Sequence, residues 1–234
     1  MNRRTFHLQT AAALGLWCAS APSHAQTFSL AGLSNADASQ GLTAALQQGA
    51  LAAVGLLGRP DGFMGNPQVR IPLPGFLADA SKFLRALGQG RQIEELEVAM
   101  NRAAEAAVPL AKDLLVNAVK TLSVTDARNI LTGGPTSVTA FFAERTRAPL
   151  SERFLPVVKG ATDKVGLAEK YNRVAGKAAG MGLANKEDAT IERYVTRKSL
   201  DGLYFVIGEE EKKIRQNPAG AASAIVRKVF GALK

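Results

Sequence analysis

The sequence predicts an all-α fold, a single-domain bundle of several helices interrupted by proline and glycine, with no sheet. Apolar residues recur at three- and four-residue steps over long stretches, above all in 93–122 and 188–215, which is the period of a helix with one buried face. Strings rich in Pro and Gly separate these stretches, and such strings break helices. No run shows the two-residue alternation of a convincing strand.

The chain opens with Arg3-Arg4-Thr5-Phe6, continues through an apolar run from Ala11 to Ala19, and reaches Ala21-Pro22-Ser23-His24-Ala25. A basic start, a short apolar middle and a small-x-small end describe a cleavable export signal over residues 1–25. The apolar run is shorter than the roughly 20 residues that a permanent membrane anchor needs. The paired arginines fit a twin-arginine signal as well as an ordinary secretory one. Cys18 suits a lipoprotein site poorly, because Gly15-Leu16-Trp17 precedes it. The expected product is a soluble helical domain over 26–234, located in the periplasm of a Gram-negative bacterium.

In that domain the spacing predicts a first helix over Asp37–Leu57, then an irregular stretch through Arg59-Pro60-Asp61-Gly62-Phe63, Asn66-Pro67 and Ile71-Pro72-Leu73-Pro74. A second helix runs to Leu87, where Gly88-Gln89-Gly90 ends it. Between Ile93 and Leu122 the residues Ile93, Leu96, Met100, Ala103, Ala107, Leu110 and Leu114 share a face, with Glu94, Asn101, Glu105 and Lys112 opposite. Pro109 kinks or divides this helix. Ser123-Val124-Thr125-Asp126 reads as a capping-box variant that opens a short helix ending at Gly133-Gly134.

Pro135 suits the first turn of the next helix, which carries Phe141 and Phe142, breaks at Pro149, resumes through Phe154 and ends near Gly166. Tyr171 to Ala184, rich in Gly and Ala, reads as a loosely packed connector. The last long helix spans Asp188–Arg215, with Arg197, Asp201, Tyr204, Glu211 and Arg215 on its outer side. There Arg197 with Asp201 and Glu211 with Arg215 are spaced as surface ion pairs. Pro218–Lys234 closes the chain as a short basic amphipathic helix, expected to dock on the core rather than lie on lipid.

Loss of residues 1–25 removes Cys18, Trp17, His7 and His24, the only cysteine, tryptophan and histidines of the chain. What remains has no thiol, no imidazole base and no ordinary zinc, copper or haem ligand set. No cofactor and no metal site is expected. Arg3 and Arg4 leave with the signal and no acid does, so the formal charge falls by two from +9. The surplus suits an anionic surface such as lipid or cell-wall polymer, or is simply solvated. Nucleic acid is not expected as a partner, since no basic run is interleaved with aromatics.

Asp61-Gly62-Phe63, Asn66-Pro67, Met100-Asn101-Arg102-Ala103-Ala104-Glu105, Thr125-Asp126-Ala127, Asp201-Gly202-Leu203, Glu209-Glu210-Glu211-Lys212-Lys213 and Lys228-Val229-Phe230-Gly231 form a recognisable series. The chain so resembles the bacterial family called domain of unknown function 4197, over nearly all of its length after the signal. The resemblance implies an exported helical protein and supplies no site residues.

Asn101, Arg102 and Glu105 are the first candidates for a binding site, because Asn101 and Glu105 stand one turn apart with Arg102 beside them. The plainer reading puts them on the polar side of the helix, or in a hydrogen-bonded link to a neighbouring one. Glu105 and Glu144 are the candidate acids if the protein is a carboxylate-driven cell-wall glycosidase. Glu144 with Arg153 and Lys198 with Asp201 read as interhelical ion pairs. No Glu-Ser pair, Ser-x-x-Lys motif, Gly-x-Ser-x-Gly elbow or nucleotide-binding loop is present. Asn35-Ala36-Asp37-Ala38-Ser39 only imitates the start of a calcium loop. The sequence therefore favours a non-enzymatic binding protein for a protein partner or an apolar molecule, with the glycosidase and a membrane-surface role as alternatives.

Overall fold

Helices form where the apolar period predicts them and in one stretch where it does not, and one connected apolar cluster joins them. The computed structural model describes residues 35–180 and 188–217. The signal at 1–25, the end of the expected connector at 181–184, and the closing helix at 218–234 lie outside the described residues. Among the described residues there are eight α-helices and no strand: α1 (Asn35–Leu57), α2 (Gly75–Leu84), α3 (Gly90–Ala107), α4 (Ala111–Lys120), α5 (Val124–Thr132), α6 (Ser137–Thr162), α7 (Gly166–Gly180) and α8 (Ile191–Gln216). None of them is long and apolar enough to cross a membrane.

α6 and α8 pack along one another as the central pair. α3 and α4 lie against α6, and α1 lies against α8 and α4. Phe142, Leu150 and Phe154 on α6 meet a core that includes Leu42, Met100, Leu115 and Ile191, all essentially inaccessible. Each such side chain contributes about 1.5–3 kcal/mol through burial.

The breaks follow local chemistry. Pro109 divides the long 93–122 stretch through a 3-10 turn at Val108–Leu110. α2 passes into α3 through a π-type turn, Arg85–Gln89, in which Gly88 takes φ 75°. A side chain there would meet the left-handed backbone penalty, which glycine escapes. At α5 the capping box forms: the Asp126 amide donates to Ser123 Oγ at 3.0 Å and the Ser123 amide donates to Asp126 Oδ2 at 3.0 Å.

Two expectations are corrected. α6 runs unbroken through Pro149 and Pro156 to Thr162. Each proline removes one ladder bond, but the carbonyls released belong to the exposed residues Arg145 and Glu152, while burial of Leu150, Phe154 and Val158 holds the axis. The supposed connector is α7 up to Gly180, and its Leu167, Ala168, Tyr171 and Ala175 are buried at helical spacing. Two of those four positions are alanine, so the apolar signal is faint although the burial is complete.

Candidate functional site

The period of α3 does place Asn101 and Glu105 one turn apart, but on a covered face, with Asn101 0% and Glu105 5% exposed. The reading that puts both on the helix's polar side, away from the core, is therefore corrected; of the two alternatives the hydrogen-bonded link is the nearer, although it runs to a non-helical segment and not to a helix. Glu94 and Lys112, grouped with them on the wheel, are exposed. What covers the Asn101–Glu105 stretch is the irregular segment between α1 and α2, folded back across α3.

Asn101 grips that segment by its backbone. Its Oδ1 accepts from the Ile71 amide at 2.8 Å, and its Nδ2 donates to the carbonyls of Ile71 at 3.0 Å and Glu97 at 2.9 Å. Glu105 Oε1 accepts from the amides of Phe63 at 3.1 Å and Met64 at 3.0 Å. Its Oε2 accepts from Arg102 at 2.6 Å, and Arg102 extends to Asp61 at 2.8 Å. These two carboxylates, Glu105 foremost, raise the Arg102 guanidinium further above its ordinary value. Asp61 holds a left-handed φ of 63°, a conformation that Asp tolerates better than most residues.

The segment is fastened from α8 too. Tyr194 donates its hydroxyl to the Pro72 carbonyl at 3.0 Å. Phe63 is fully buried against Gly202, where an added Cβ would stand 2.7 Å from the ring. The Asp61-Gly62-Phe63, Asn101-Arg102 and Asp201-Gly202 strings are thus brought together as an anchor. Every polar group of Asn101 and Glu105 is occupied by the protein itself, which leaves little for a ligand.

The other predicted pairs sort differently. Asp201 bonds Arg147 at 2.9 Å and meets Arg197 at 3.7 Å, and no bond to Lys198 is among these. Glu144 and Arg153 are both exposed and are not joined among the described residues. Tyr204 is buried, with its hydroxyl 2.8 Å from Thr146 Oγ1. Glu211 is buried as well, bonded by Arg215 at 2.9 Å. The expected surface positions of Tyr204 and Glu211 are corrected, because α1 and α6 cover α8 from two sides. Burial pushes the Glu211 carboxyl above its ordinary range, while Arg215 and the first-turn amides of α6 at Val138 and Thr139 pull it back.

A different place stands open to a ligand. Between α6 and α8 lies a groove of about 660 Å³, inside the span of roughly 300–1,000 Å³ common to small-molecule sites. α6 contributes Glu144, Arg147, Ala148, Ser151, Glu152 and Leu155, and α8 contributes Arg193, Thr196, Arg197 and Leu200. Arg147 lies over the Tyr204 ring at 5.0 Å and Arg197 over Tyr194 at 5.5 Å. Arg197 also bonds Asp188 at 2.5 Å. Both guanidiniums are thereby held in place. The exposed Arg193 makes no ion pair among the described residues.

Thr196 is 2% exposed, and its Oγ1 has no hydrogen-bond partner. Neighbouring buried hydroxyls donate to the carbonyl one turn back, Ser199 to Val195 at 2.7 Å and Thr146 to Phe142 at 2.6 Å. Thr196 does not. A buried hydroxyl without a partner carries a cost of about 1–3 kcal/mol, and Thr196 is one of the residues that line the groove.

Sequence reasoning missed the groove. Its signals were present as the four-residue steps Arg147, Ser151, Leu155 and Arg193, Arg197, yet only the pairing of α6 with α8 makes two ordinary polar stripes into facing walls. Among the described residues, no cluster of three or more Asp, Glu, His or Cys is placed to hold a metal ion.

No curated protein and no solved structure matches the chain. The model of the family described as Protein of unknown function (DUF4197) matches residues 32–231, a span that takes in the anchor and both walls of the groove. The chain belongs to that family.

Proposed function

We propose that this is a periplasmic binding protein that holds a small molecule with an apolar part in the groove between α6 and α8. The observation that carries the reading is the groove itself: an open site with apolar surface at Ala148 and Leu155, beside a buried hydroxyl that has no partner within the protein.

The state of the carboxylates supports binding over hydrolysis. A glycosidase acid is a buried carboxyl kept protonated and facing its substrate. Glu105 is buried but bound by two amides and Arg102. Glu192 accepts from Asn172 at 3.0 and 3.2 Å, and Glu211 is bonded by Arg215. Glu144 and Glu152 line the groove and burial raises the Glu211 carboxyl, two observations that favour the hydrolase, but the first two are exposed and Glu211 lies outside the groove's lining.

Native mass spectrometry of the protein taken from the periplasm, beside the same sample denatured, tests the reading. A small molecule released only on denaturation is expected. A ligand-free mass, together with cell-wall digestion that disappears on Glu144→Gln substitution, overturns it in favour of the hydrolase. Absence of the protein from the periplasmic fraction refutes the location.

A further inference from the structure

The chemistry of the groove's α8 wall narrows the ligand class, an inference that rests on the binding reading above. Thr196 sits between Arg193, one turn before it, and Arg197, the next residue. Its hydroxyl is buried and makes no bond within the protein. A ligand atom that meets this hydroxyl stands in the field of two guanidiniums, which favours an acceptor oxygen carrying negative charge. Arg197 is already committed to Asp188, so Arg193 is the cation left to pair with that oxygen.

The opposite wall offers apolar surface. Leu155 is 37% exposed although it borders the groove, and the exposed Ala148 stands two turns before it on the same helix. Glu144 and Glu152 flank the α6 side and disfavour a second negative charge on the ligand. We propose that the groove takes an amphiphilic monoanion, a carboxylate with an aliphatic tail, with its head between Arg193 and Thr196 and its tail along Ala148 and Leu155.

Calorimetric titration of the full chain with decanoate, decanol and decyltrimethylammonium, each below its micellar range, tests the head group. Decanoate is expected to bind the tightest of the three. Thr196→Val removes the hydroxyl at nearly constant shape and Arg193→Gln removes the charge; each is expected to weaken decanoate about tenfold, the loss of one hydrogen bond to a charged group, and to leave decanol unchanged. Circular dichroism establishes that both variants are folded. Equal binding of decanoate and decanol, or decanoate binding that neither substitution alters, overturns the anion inference while the apolar groove stands. Tightest binding of the ammonium compound overturns it by assigning the head to Glu144 and Glu152. If none of the three binds, the binding reading of the groove fails with it.

Discussion

Replacing Asn101 by Leu tests whether this residue is an anchor of the α1–α2 segment rather than part of a ligand site. The substitution keeps the bulk and removes the amide. Two backbone groups then lose their partner, the Ile71 N–H held at 2.8 Å and the Ile71 carbonyl held at 3.0 Å. The Glu97 carbonyl loses less, since it belongs to the ladder of α3. Asn101 is wholly buried and Ile71 nearly so, so water does not replace the lost bonds. At about 1–3 kcal/mol for each orphaned group, the expected loss is about 3–4 kcal/mol, which for a chain of this size lowers Tm by roughly 10 °C. Urea unfolding followed by circular dichroism at 222 nm measures it, with an unchanged m-value as the sign that the folded and unfolded states are otherwise the same. Asn101→Asp sharpens the test. The new carboxylate still accepts from Ile71 but turns its second oxygen toward two carbonyls, so the fold favours its protonated form and raises its pKa above the unfolded value of about 3.9. Stability is then least affected below that value and falls as pH rises through the folded pKa. A loss under about 1 kcal/mol for Asn101→Leu, or an Asn101→Asp protein that gains stability with rising pH, refutes the anchor.

Three further outcomes are expected. Gly202→Ala places a methyl 2.7 Å from the Phe63 ring and is expected to cost about 1–3 kcal/mol by overpacking in the same urea assay, despite the better helix propensity of Ala. Burial raises the Glu211 carboxyl, so its ionisation weakens the fold as pH climbs from the unfolded carboxylate range through its folded pKa; Glu211→Gln is expected to remove that fall from the stability–pH curve above the unfolded carboxylate range. The chain's three tyrosines are all raised by burial, Tyr171 and Tyr194 to about 12 and Tyr204 in the same direction. Stability from the neutral phenols is present below about pH 10 and is lost as pH rises through the folded values. Absorbance at 295 nm should therefore show no tyrosinate until the protein unfolds in alkali, and a normal titration near pH 10 with the fold intact contradicts the burial.

The sequence alone determined the helical class, the break at Pro109, the glycine turn after α2 and the capping box at Ser123, because each is decided by residues within one or two turns of one another. It also contained the strings that carry the family resemblance and singled out Asn101, Arg102 and Glu105. What those residues do depended on the tertiary structure. A helical wheel divides a helix into inner and outer faces as if one core existed, whereas α3 is covered on a second face by a segment 30 to 42 residues earlier in the chain, whose free amides need Asn101 and Glu105 as partners. The same limit moved Tyr204 and Glu211 inside, since α8 is enclosed from two sides. It hid the groove as well: the arginine and threonine of α8 acquire their setting from α6, and that juxtaposition is a matter of packing between elements, which no spacing along a single helix encodes.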